Sequence, residues 1–198
     1  KRFKKNATVN DNKNAIRLLR DYGIEPTFGF IMFEPNSTLE SIRNNFEFLK
    51  ETGIMTTPAI TAHLLHHKQT LFQGTPDYQT IADKAAANHS FTDYETLCKM
   101  NDPKAESFYD VTSLLCGTAL LSLPETYDCE NKPLHTETTS LDPLNDTLIT
   151  AFEETLSWFE ASSTPYHRNE IQEMGEKWIS ATKSAAKNKL NLDKERPV

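Results

Sequence analysis

A chain of 198 residues can bury a substantial core, and its 37% hydrophobic and 25% charged content is ordinary for a globular protein. The net charge of −7 excludes a general nucleic-acid binder, which needs a basic face against phosphate. No apolar stretch approaches the roughly 18–20 residues of a bilayer span, and the basic amino-terminal segment is not followed by the apolar core of a signal peptide.

Thr8 and Asp11 offer helix-start signals, after which Ala15, Ile16, Leu18, Leu19 and Tyr22 fall on one helical face and Gly23 supplies a stop. Residues 27–33 then form an apolar run without period-2 alternation, the pattern of a strand covered on both faces. Ser37-Thr38-Leu39-Glu40 resembles a capping box, and Ile42, Phe46 and Leu49 stack at i, i+4 and i+7 before Gly53. A second apolar run, 59–65, follows one βαβ length later, so the economical expectation is a parallel pair of strands joined by a right-handed helical crossover.

Beyond Gly74-Thr75-Pro76 the pattern changes. Residues 76–87 read as a short helix and 88–102 as polar and irregular. Phe108, Val111, Leu114 and Leu115 return to helical spacing, interrupted at Thr118 and completed by Ala119 and Leu120. Residues 122–143, rich in Pro, Glu, Asp and Thr, are expected to be a loop. Leu144, Leu148, Ile149, Phe152, Leu156 and Phe159 define an amphipathic helix, and Ile171, Met174, Trp178 and Ile179 define another that fades after Lys187.

The order of these front elements resembles the later half of a radical S-adenosylmethionine barrel. Residues 13–24, KNAIRLLRDYGI, match the helix leading to the fifth strand, and FIMFEPNST, residues 30–38, matches that strand's end. Phe33 stands where glycine is usual, and the acid before the proline is most similar to the cobalamin-binding-domain branch. LLHHKQTLFQGTPDY, residues 64–78, resembles the sixth strand and the segment beyond it. The resemblance covers residues 1–80 and implies an α/β fold: the last βα units of a partial TIM-like barrel, followed over 81–198 by a mainly helical region.

The family's C-x-x-x-C-x-x-C loop is not in the sequence, and Cys98, Cys116 and Cys129 are too far apart to replace it. That odd, widely spaced set also fits a reducing cytoplasm better than a disulfide framework. With no initiator Met before Lys1, the expectation is the carboxy-terminal part of a longer enzyme, inactive alone and partnered by the missing amino-terminal barrel half. The parent would use S-adenosylmethionine, a 4Fe–4S cluster and, in the cobalamin branch, cobalamin, on a substrate that the sequence does not name.

By the resemblance Gly29 and Ile31 would lie against the adenine, with Phe33, Glu34, Pro35 and His66 at the cofactor side where barrel strands end. Some of these also have a plainer reading. Gly29 and Ile31 can simply fill a core, and Glu34 can complement the positive end of the following helix. On a strand, His63 and His67 would share one face and His66 the other, so these three do not converge on a metal. A non-catalytic helical interaction module is the alternative. A complete small hydrolase is disfavoured because no Gly-x-Ser-x-Gly elbow occurs.

Overall fold

Thr8 opens the first helix, α1 (Val9–Asp21), by a reciprocal exchange: its hydroxyl accepts the Asp11 N–H while the Asp11 carboxylate accepts the Thr8 N–H. The computed structural model describes residues 6–24, 26, 29–79, 95–123, 143–162 and 168–195. Thr38 caps α2 (Leu39–Thr52) in the same manner, but its reciprocal partner is Ser41 and not Glu40. Ile42, Phe46 and Leu49 of α2 are fully buried, and Gly53 ends the helix at φ 60°, a left-handed conformation that costs glycine little. Arg20 holds α1 to this end by donating to the Thr52 and Gly53 carbonyls.

The expected second strand is a helix. Thr57 accepts the Ile60 N–H, Pro58 occupies the first turn without needing a donor partner, and α3 (Pro58–His66) follows. A short apolar run such as 59–65 has no period that separates buried strand from buried helix, and here the cap and the proline favour helix. Thr61, Ala62, Leu64 and Leu65 are buried, and α3 packs against two later helices.

The expected first strand also fails to form over its described residues. Residues 29–32 are irregular, with Gly29 and Ile31 exposed and Met32 and Phe33 fully buried. Phe33 makes a single parallel bridge with Lys68: the Met32 and Phe33 N–H groups both donate to the His67 carbonyl, and the Gln69 N–H donates to the Phe33 carbonyl. Positions 27 and 28 lie outside the described residues. The α/β barrel expectation is therefore corrected to an α-helical fold.

Regular β-structure among the described residues is one antiparallel pair, β1 (Thr70–Phe72) with β2 (Glu95–Leu97), in register Leu71 opposite Thr96. β2 falls in the stretch read as irregular. Between them, 76–79 begin a helical turn capped by Thr75, as expected; the rest of that predicted helix lies outside the described residues.

Three long helices complete the fold: α4 (Pro103–Ser122), α5 (Pro143–Ala161) and α6 (Arg168–Glu195). Asp102 caps α4 and Pro103 again takes the first turn. Thr118, the break in the apolar stripe, does not interrupt α4, because its hydroxyl satisfies itself on the Leu114 carbonyl. α6 runs beyond the expected fade, through Glu195. The loop expected over 122–143 lies outside the described residues for 124–142.

α4 packs against α3, α5 and α6, while α5 packs against α2, α3 and α6. One hydrophobic cluster runs from Ile16 through Phe46, Leu65 and Phe108 to Phe152, Phe159 and Ala186. Polar ties register the layers. Arg43 of α2 forks onto both Glu160 oxygens of α5 and also reaches Ser157, while Asn145 donates to the Met55 carbonyl.

Candidate functional site

The segments carrying the candidate residues meet where Phe33 lies beside Lys68. Phe33 is fully buried, its ring edge-on to Tyr109 at 5.1 Å and tilted against Phe108 at 6.1 Å. Glu34 and Pro35 form a tight turn: the Ser37 hydroxyl accepts the Glu34 N–H at 2.9 Å, and the Ser37 N–H returns to the Glu34 carbonyl. The Asn101 N–H donates to the Pro35 carbonyl, so this turn is fastened to the chain entering α4. Phe33, Glu34 and Pro35 are thus held together, whereas Gly29 and Ile31 lie on the exposed approach. His66 ends α3, its Nδ1 on the Ala62 carbonyl and its ring stacked on His63 at 5.8 Å.

Sequence reasoning passed over the strongest polar feature. Lys68 is 7% exposed, its ammonium 2.8 Å from Glu106 Oε1 and 4.0 Å from the centre of the Tyr109 ring. The other Glu106 oxygen accepts the Met100 N–H at 2.8 Å. One carboxylate therefore neutralises a buried cation and anchors the loop before α4. The only sequence signal was a lysine directly before a β-forming run, too common to single out.

Asp110 lies one position beyond Tyr109. Burial, and secondarily the Glu106 charge, raises its carboxyl above the ordinary value, opposed by Lys68. An open groove of about 400 Å³ follows along α4, lined by Tyr109, Asp110, Ser113, Leu114, Gly117, Thr118 and Leu121. It is a shallow surface without a nucleophile–base pair.

The imidazole of His67 is held below its ordinary value of 6.5, chiefly by burial of part of the ring and then by His63 and His66. A depressed base leaves the folded state short of protons relative to the unfolded chain. Its share of stability is present above 6.5 and is lost as pH falls through the lowered folded value. Thermal unfolding midpoints measured between about pH 7 and about pH 5 should fall, and His67→Gln should fall less. Parallel curves for the two proteins would refute this assignment.

Cys98 and Cys116 are both buried, and burial pushes the Cys116 thiol up to about 12, a value that makes it inert. Among the described residues no group of three or more His, Cys, Asp and Glu could hold a metal ion, so these residues do not fit an iron–sulfur cluster. No described helix is long and apolar enough to cross a membrane. Comparison with known proteins found no matching family model, no matching curated protein and no matching solved structure.

Proposed function

We propose that this chain is a non-catalytic, cytoplasmic portion of a radical S-adenosylmethionine enzyme, its helices shaping the substrate side while the cluster is held elsewhere in the parent protein. The observation that supports this most is the parallel bridge between Phe33 and Lys68. It joins the two stretches whose sequences resemble successive strand ends of that family, with α2 and α3 between them in sequence. The C-x-x-x-C-x-x-C motif is not in this sequence, so on this reading the cluster is held by another part of the parent protein.

The coding sequence preceding Lys1 should contain that cysteine motif. The protein expressed from the whole reading frame, reconstituted anaerobically with iron and sulfide and then reduced, should form 5′-deoxyadenosine from S-adenosylmethionine. A stop codon immediately upstream, or a reading frame without the motif, would remove the basis of the proposal.

A second reading, a helical interaction module, is favoured by a separate observation. Of the apolar face predicted for α1 only Ile16 is buried, while Leu18 and Tyr22 remain 57% and 77% exposed. The absence of any 5′-deoxyadenosine from a properly loaded full-length protein would move the balance to this module.

A further inference from the structure

We propose that the groove between α5 and α6 binds the arginine side chain of a basic peptide segment. On α6, Glu170, Glu173, Met174, Lys177 and Trp178 fall at i, i+3, i+4, i+7 and i+8, one face of a helix. Glu154 and Trp158 face them from α5 at i and i+4, and the seven residues enclose about 440 Å³.

The lining combines what a cation needs. Two indoles present aromatic surface, a thioether adds polarisable surface, and three carboxylates stand against one ammonium among the described lining residues. Trp178 is only 8% exposed, and Trp158 is braced edge-on against Phe159 at 5.0 Å. Trp178 is therefore the packed floor of the groove, and half-buried Trp158 carries most of the indole surface open to a ligand.

A cation already occupies part of the groove. Lys177 Nζ sits 4.3 Å from the centre of the Trp178 ring and 3.2 Å from Glu154 Oε2. Its side chain is 62% exposed and its partner 56% exposed, so this pair is weak and readily displaced. Arginine suits the position better than lysine. Its guanidinium is less strongly hydrated, stacks flat on an indole and still reaches carboxylates with donors at its edge. The net charge of −7 adds long-range attraction for a basic segment.

The chain has two tryptophans and both line this groove, so intrinsic fluorescence reads the site without a label. Titration with a capped peptide of alternating arginine and glycine should give a saturable change that weakens with added salt. The variant E154Q/E170Q/E173Q, altered at exposed or rim positions, should bind roughly tenfold more weakly. Lys177→Gln, which removes the internal competitor, should bind severalfold more tightly. Circular dichroism checks folding, and Glu173→Gln alone replaces the triple variant if that one unfolds. No saturable change, or equal binding by wild type and the glutamine variant, overturns the proposal. Saturation by tetramethylammonium at the same concentration as the peptide overturns the assignment to arginine.

Discussion

Replacing Phe108 by alanine is expected to destabilise the protein by roughly 3–5 kcal/mol, the range for truncating a fully buried aromatic whose surroundings cannot collapse. Phe108 is the junction of the core. Its ring meets Phe152 edge-on at 5.0 Å and Phe159 at 5.7 Å, and lies 6.1 Å from Phe33. Phe152 in turn touches Phe46 of α2 at 4.9 Å. Removing the one ring leaves a cavity bordered by α4, α5 and the chain entering α2, three bodies fixed by other contacts. Phe108→Leu retains most of the volume and should cost less than about 1.5–2 kcal/mol. Chemical denaturation of the three proteins would measure both differences. A loss below about 1 kcal/mol for Phe108→Ala would mean that the aromatic cluster is not the centre of the fold.

The second large effect concerns Glu106. Changing it to glutamine leaves the Lys68 ammonium buried without its counter-ion, and the expected cost is about 2–3 kcal/mol, somewhat under the range for a fully buried pair because the Glu106 side chain is 25% exposed. Glutamine still offers an oxygen to the Met100 N–H, so the cost isolates the charge from the loop anchor. Adding Lys68→Met to that variant removes the orphaned cation and should restore more than half of the lost stability. A double variant no more stable than Glu106→Gln alone would show that loop anchoring, and not ion pairing, is the role of Glu106.

Local chemistry made several helices readable in advance. Thr8 and Thr38 stand as caps where a hydroxyl precedes an apolar-periodic run, and Gly53 stops α2 where a left-handed residue is wanted. Phe108, Val111 and Leu115 of the α4 stripe, and Leu148, Phe152, Leu156 and Phe159 of the α5 stripe, became buried faces because 3.6-residue spacing places them on one side, whereas Leu114 is 57% exposed. Cys116, on the same helix α4, is also fully buried.

The candidate site was less legible. Phe33, Glu34 and Pro35 were singled out as a strand end, yet Phe33 is committed to a packed ring cluster and Pro35 to a loop contact with Asn101. Their partners come from residues sixty and more positions away, and no local pattern announces them. Lys68 and Glu106 are likewise 38 residues apart, and the acid–indole groove needs α5 and α6 side by side.

The sequence by itself marked several helix starts and stops and the buried stripes of α2 and α5, because caps, glycines and periodicity act within a few residues. The face expected for α1 stays largely exposed, and α6 runs past its expected fade. Tertiary structure decided that the described part of 27–33 would not be a strand, and for 59–65 it acted together with the Thr57 cap and Pro58. An apolar run without period is equally content in either state, so such caps and the packing partners must distinguish them. For 58–66 the partners are α4 and α5, whose apolar faces α3 packs against. For the described end of 27–33, the backbone partner among the described residues is the extended segment His67–Gln69, which gives one bridge and no ladder.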